Sequence, residues 1–187
     1  MTDAVAFLIQ TVFSVASLLF LLRFLLQAVR ADFYNPITQG IVSVTDPVLK
    51  PLRTVLPSMG NLDPAAFIAA WASECLSIYG IGQLSAAGDI GIVYVLIAGL
   101  FETLMLVLNV FFFSILIIVV LSFISPGSYH PAAQVVNQLT EPLMAPARRL
   151  LPATGGLDFS PLIVMLVIGM LQRLLPSLFG SLFSAFL

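Results

Sequence analysis

The chain has 187 residues, 60% of them hydrophobic and only 9% charged, with a net charge of −2 and a mean hydropathy of +1.11. A soluble domain carries about 25% charged residues, so a single core cannot absorb this much apolar surface. The excess must face lipid, and a soluble domain is excluded. With one cysteine, Cys75, and one histidine, His130, an intrachain disulfide, a CxxC redox pair and a thiolate zinc site are excluded as well, and no cofactor is expected.

A membrane-crossing helix needs about 20 predominantly apolar residues. The first such stretch is Val5–Val29. It carries Asp3 ahead of it where a signal peptide carries positive charge, and it is too long for a secretory core, so it reads as an uncleaved span. Arg23 lies about two turns from its cytoplasmic end, placed to snorkel.

A loop with Arg30, Lys50 and Arg53 follows, and it contains TDPVLKPLRTVLPSMGNLDP, Thr45–Pro64. Apolar residues recur at Ile37, Ile41, Val44, Val48, Leu52 and Val55 with near-helical spacing. Pro47 and Pro51 interrupt that pattern. Because Pro51 removes an amide donor and clashes with the preceding turn, the expectation is two short helices, one ending near Thr45 and one starting near Pro51, with Pro57 closing the second. Amphipathic pieces of this kind lie flat in the interface; a re-entrant hairpin is the rival geometry. Gly60 permits a positive-φ turn, Asp63 caps the next helix, and Pro64 sits in its first turn.

The second span is Ala65–Leu84. Ala65, Ala69, Ser73 and Ser77 form a small-residue seam along one face, a spacing that lets membrane helices approach closely. Glu74 lies ten residues beyond Pro64, roughly 15 Å deep at 1.5 Å per residue. The third span lies within Ile90–Ile124, about 100–124, as one long helix or as an interfacial helix followed by a span. It carries Glu102 and Asn109. A second loop repeats the first phrase as TEPLMAPARRLLPATGGLDFSP, Thr140–Pro161, with Pro142, Pro146, Arg148, Arg149, Pro152, Gly155 and Asp158. The fourth span is about 161–180 and contains Arg173. Pro176 and Gly180 break its pattern, which leaves Ser177–Leu187 as a continuation or an interfacial tail.

Shifted by 95 residues, Tyr34–Asp63 and Tyr129–Asp158 are identical at 12 of 30 positions. Each unit is span, loop, span, so the two halves, 1–88 and 89–187, are parallel repeats about an axis along the membrane normal. The fold class is therefore all-α: four transmembrane helices as two parallel repeats, with amphipathic helices in the loops. Five basic residues (Arg30, Lys50, Arg53, Arg148 and Arg149) fall in the long loops and none in the N-terminus or the connection near Gly80–Gly91. Basic flanks stay cytoplasmic, so both long loops are expected in the cytoplasm and both termini on the far side of a bacterial inner membrane.

Ionisable groups within spans are functional candidates by default. Glu74 and Arg173 occupy corresponding spans at nearly equal depth, and a buried pair between them across the two-fold is one arrangement open to them, with Glu102 as a competitor for Arg173.

The paired DPVLKPLRTVLP…G.LD and EPLMAPARRLLP…GGLD phrases, with DFYNP at Asp32–Pro36, resemble the signature of the YggT (YlmG-like) family. The chain departs from it at Thr54, where a second arginine is common. The resemblance covers nearly the whole chain and implies roles associated with osmotic or salt tolerance, division and membrane organisation in bacteria, and with cytochrome b6f maturation and nucleoid placement in plastids. Two functions follow. One is a scaffold or assembly factor whose repeat-motif face engages anionic headgroups or an unidentified membrane or cytoplasmic protein. The other is a subunit of a small oligomeric channel or transporter using Glu74, Asn109 and Arg173. A homo-oligomer is compatible with both; neither enzyme activity nor direct nucleic-acid contact is expected. Cysteines placed at Thr2 and Ala87 should react with a membrane-impermeant periplasmic label while those at Ser58 and Thr154 stay silent; the reverse pattern would refute the charge argument.

Overall fold

The structure, a computed structural model, describes residues 2–84, 90–124, 130–150 and 158–186. Six helices occupy them: α1 Thr2–Ala28, α2 Pro36–Val55, α3 Pro64–Leu84, α4 Ile92–Ile124, α5 Pro131–Leu150 and α6 Ser160–Phe186. α1, α3, α4 and α6 are long and apolar enough to cross a bilayer, so the chain is an all-α polytopic membrane protein. The third apolar stretch is one helix of 33 residues, about 50 Å at 1.5 Å per residue against a hydrocarbon core of about 30 Å, so it tilts or protrudes. α6 runs on through Pro176, and the continuation, not the tail, is what forms.

The loop helices correct one expectation. α2 and α5 are each a single 20-residue helix with two prolines inside, Pro47 and Pro51 or Pro142 and Pro146. All four prolines are exposed. In each helix they stand four residues apart on one outward face, where a carbonyl deprived of its donor can turn to headgroups or water. The opposite face supplies the cohesion: Thr38, Thr45 and Leu49 are buried in α2. A continuous helix also does not double back, which removes the re-entrant hairpin. Starts are fixed locally. Asn35 Oδ1 accepts from the Ile37 amide at 2.9 Å ahead of Pro36, and His130 Nδ1, at the equivalent place, accepts from Ala132 at 3.2 Å ahead of Pro131.

The chain packs as two compact units, Met1–Leu106 and Val107–Leu187, dividing within α4. In the first, α1 and α3 run antiparallel. The small-residue seam (Ala65, Ala69, Ser73 and Ser77) is buried together with Ala66 and Ala70; Ser17 Oγ donates to the Ala70 carbonyl at 3.2 Å, and Phe24 meets Phe67 at 5.4 Å between ring centroids. Leu49, Leu52 and Leu56 pack with Phe20 and Phe24 around the start of α3. The first part of α4 lies against α3, with Trp71 Nε1 donating to the Leu96 carbonyl at 3.0 Å and Cys75 Sγ within 3.5 Å of the Val95 carbonyl. In the second unit Ile115, Met144, Ala147, Val164 and Ile168 form the core, flanked by Phe111, Phe112 and Leu143.

α1 ends with a doubly bonded cap. Ala31 donates to Leu26 at 2.9 Å and Arg30 to Gln27 at 3.1 Å, with Arg30 in the left-handed region at φ 56°, a place usually given to glycine. Arg30 Nε donates to Asn61 Oδ1 at 2.7 Å, tying the end of α1 to the turn before α3.

Gly99 marks a close approach of α3 and α4: a Cβ there would overlap Cys75 Sγ and stand 3.2 Å from the Cys75 amide nitrogen. Gly99→Ala should cost about 1–3 kcal/mol through overpacking, lowering the thermal unfolding midpoint in mild detergent. Cys75→Ala in the same chain should return part of the loss.

Candidate functional site

The repeated phrase builds the same ionic clasp twice. In the first copy Arg53 stands in the last turn of α2, and Asp63 stands just ahead of α3, fully buried. The two helix dipoles favour this arrangement, a cation at a C-terminus and an anion at an N-terminus. Arg53 donates to Asp63 Oδ2 through Nη2 and, at 3.2 Å, through Nε. Asp63 Oδ1 also receives the Ala66 amide at 3.4 Å, the capping role expected of it. Between them the chain reverses through a turn in which Met59 and Leu62 exchange both backbone bonds, at 2.9 and 3.0 Å. Gly60 takes φ 61°, the positive value expected there. Pro57 follows the end of α2 and is exposed.

Asp46, two turns earlier on α2, gathers three cations: Lys50 at 3.2 Å, Arg23 at 3.7 Å and Arg53 at 3.9 Å. Arg23 does not snorkel to the surface. It is buried at 7% exposure, because α2 folds over it and presents Asp46, while the Phe33 ring lies 5.0 Å from its guanidinium carbon. Its Nε and Nη1, and Asp46 Oδ1, are buried without a direct hydrogen bond, so attraction between charges, not hydrogen bonding, holds this edge of the cluster.

In the second copy Arg148 Nη1 donates to both oxygens of Glu141 at 3.0 Å, and Arg148 Nε donates to Asp158 Oδ2 at 3.3 Å. Asp158 Oδ1 accepts the Ser160 amide at 2.9 Å at the start of α6. Hydrogen bonding from Ser160, aided by the neighbouring Arg148, holds the Asp158 carboxyl below the ordinary aspartate value. The equivalents of Arg23 and Lys50 are Ile118 and Ala145, so this clasp has three charges where the first has five. It is also far more open: side-chain exposure is 44% at Arg148 and 49% at Asp158, against 26% at Arg53 and 0% at Asp63. Arg149 is exposed and forms no ion pair among the described residues. Pro152 and Gly155 lie outside the described residues.

The intramembrane candidates are divided between the two units. Glu74 is buried at the α1–α3 contact beside the Ser17 hydroxyl, with Glu102 within electrostatic range. Asn109 accepts from Gln172 Nε2 at 2.9 Å, joining α4 to α6. Glu74 and Arg173 belong to different compact units; within its own unit Glu74 meets Ser17, and Arg173, exposed on α6, forms no ion pair among the described residues. Sequence reasoning missed Asp46 as the hub of a cluster and His130 as a helix cap. The alignment of Asn35 with His130 ahead of a shared Pro was the available signal for the cap.

A family model described as CCB3/YggT matches residues 2–84 and again residues 97–179. The chain belongs to the CCB3/YggT family. The two matched segments are offset by 95 residues, as are the two clasps, so the family unit is one span–clasp–span repeat and this protein carries two. Its relatives are similar over nearly their whole length. An uncharacterised protein of Pseudomonas aeruginosa is 43% identical over 93% of this chain and 89% of its own. The uncharacterised protein YggT of Escherichia coli K12 is 37% identical over 89% and 86%, and an uncharacterised protein of Haemophilus influenzae is 35% identical over 95% and 94%. No solved structure matches the chain.

The difference in burial between the clasps sets a measurable difference. Arg53→Gln leaves Asp63 buried without its cation and should lower stability by about 3 kcal/mol or more. Arg148→Gln breaks an exposed pair and should cost about 1 kcal/mol or less. Because the Asp158 carboxyl is lowered in the folded state, the second clasp contributes at neutral pH and its contribution is lost as pH falls through that lowered value. Unfolding midpoints in mild detergent for both variants, at pH 7 and in acid, check these values.

Proposed function

We propose that this YggT-family protein is a scaffold or assembly factor of the bacterial inner membrane, with both clasps and both loop helices on the cytoplasmic face and both termini in the periplasm. The observation that carries the reading is what the first clasp does to α2. Arg53 and Asp46 face inward, so the recognition element is the helix surface that they hold in place, and the motif cations act by positioning it. That surface has three sectors. Thr38, Thr45 and Leu49 are buried. Gln39, Ser43, Lys50 and Thr54 are exposed on the polar side. Ile37, Val44, Val48 and Val55 form an outward apolar stripe, with Val44 61% and Val55 78% exposed.

A polar side and an apolar side on one rigid helix suit the boundary between headgroups and acyl chains, with Lys50 and Arg149 placed toward anionic phosphate. The stripe then faces lipid or the helix of a membrane partner at a constant angle, which is what organising a membrane assembly requires. The intramembrane polar groups point the same way: Asn109 is engaged by Gln172 and Glu74 by Ser17, so they join helices together. Membrane organisation, division and osmotic tolerance are the cellular processes that the family resemblance associates with such a scaffold.

The test is complementation of a deletion strain, scored by cell length and by growth at high osmolarity. Val44→Ser with Val48→Ser and Val55→Ser should leave the protein abundant and folded yet fail to restore the phenotype. Full restoration by that variant, combined with loss of restoration by an abundant Glu74→Gln protein, would refute the scaffold reading in favour of a conduction pathway.

A further inference from the structure

Glu74 is a carboxyl at the middle of a span, and its place is fixed within the first unit. The crossing segment of α3 runs from Pro64 to Leu84, 21 residues. That is about 31 Å at 1.5 Å per residue, which matches a hydrocarbon core of about 30 Å and leaves little slack for sliding. Its start is held at the membrane surface by the first clasp, whose five charges (Arg23, Asp46, Lys50, Arg53 and Asp63) belong at headgroup level. Glu74 lies ten residues from either end, hence about 15 Å from each surface. It is 9% exposed. Ala66, Ala70 and Glu74 follow one another at intervals of four along α3, all buried, on the side where Ser17 of α1 reaches Ala70. Glu74 thus enters the contact between α1 and α3, whose small residues leave little room for a side chain from outside.

Within that unit no described cation meets the carboxyl. The titratable groups around it are Glu102 on α4 and Cys75, its neighbour on α3. α1 offers the Ser17 hydroxyl. The cation that α1 carries, Arg23, stands six residues beyond Ser17, roughly 9 Å along the helix, and is engaged by Asp46 at 3.7 Å. A bare carboxylate in such a place is costly, and a second acid nearby adds to the cost. The Ser17 hydroxyl decides the sense of the hydrogen bonding. It has one proton, and it donates that proton to the Ala70 carbonyl at 3.2 Å. Toward Glu74 it can therefore only accept, and only a protonated carboxyl can donate.

We propose that Glu74 is a proton-binding site inside the membrane. At neutral pH its uncharged carboxyl donates to Ser17 and ties α3 to α1. Loss of the proton places a bare charge in that contact and loosens it. The ligand is a proton, and the helix contact it holds weakens as pH rises. The inference stands apart from the scaffold reading, which rests on the outward face of α2.

Infrared spectra of the full-length protein in vesicles of phosphatidylethanolamine and phosphatidylglycerol read the protonation state directly. At pH 7 wild type should show the carbonyl stretch of a neutral carboxyl, lost in Glu74→Gln and kept in Glu102→Gln. Its absence from wild type would overturn the proposal, and is the result expected if Glu74 is ionised against a cation from elsewhere. Persistence of the band in Glu74→Gln would overturn it as well. Unfolding in detergent across pH reads the link to packing. The folded chain holds a proton that the unfolded chain releases, so the contribution of Glu74 is full in acid and is lost as pH rises until the folded chain releases the proton too. Within that window the unfolding constant of wild type relative to Glu74→Gln should rise about tenfold per pH unit. A flat ratio, or one that falls with pH as an ion pair would make it, counts against the site. If Glu74→Gln fails to fold, the unaltered protein still answers. Dicyclohexylcarbodiimide partitions into lipid and adds to a neutral carboxyl, whose proton goes to one nitrogen and whose oxygen goes to the central carbon, with no group leaving. Peptide mass mapping should find the adduct on Glu74 at pH 7 and less of it in alkali; no adduct at Glu74 overturns the proposal.

Discussion

The buried carboxylate of Asp63 is the constraint from which the first repeat is organised. A carboxylate cannot be taken out of water without a compensating charge and hydrogen bonds, and Arg53, ten residues earlier, supplies the charge. That requirement brings the end of α2 to the start of α3. It follows that α2 must lie against α1 and α3, that Leu49 enters the core, and that Arg23 of α1 is covered and must itself be answered by Asp46. Helix dipoles favour the geometry at both ends. The turn at Gly60 accommodates it through a backbone conformation that glycine adopts freely.

The second repeat meets the same demand with fewer charges. Arg148 reaches Glu141 and Asp158, but the positions of Arg23 and Lys50 carry Ile118 and Ala145, and the pair stays open to solvent. The cap residues differ as well, Asn35 in one and His130 in the other, yet both offer an acceptor to the amide two residues on. One design thus occurs once as a buried network and once as a surface contact. Buried charges raise the cost of breaking the contact, and exposed ones leave it subject to screening.

Within the spans, several polar side chains are satisfied at short range. Ser73 and Thr103 donate to carbonyls four residues back, and Ser17, Trp71 and Gln172 bond to neighbouring helices. Small residues permit this closeness: the α3 seam against α1, and Gly99 against Cys75. Van der Waals contact and hydrogen bonds, not a hydrophobic drive between helices, hold packed spans together in lipid. The outward faces remain apolar, which makes the exposed Arg173 and Glu102 conspicuous.

Length, apolar composition and internal alignment were enough to read the four crossing helices, the doubled motif and the turn at Gly60–Asp63 directly from the chain. Each depends on local properties: how many apolar residues run together, where glycine and proline sit, which positions recur at 95. The prolines misled, because a proline's effect on a helix depends on which face it occupies, and Pro47 and Pro51 occupy the face where a lost hydrogen bond costs least. The apolar pattern of α2 was visible, but its division was not; Ile37, Val44, Val48 and Val55 turn outward while Leu49 and Leu52 turn inward. Only the placement of α2 across α1 and α3 decides that. The same holds for Arg23, whose fate depends on a helix that arrives later in the chain. Side-chain periodicity records that a helix has faces; which neighbour each face meets, and therefore which charges are buried together, is a property of the assembled helices.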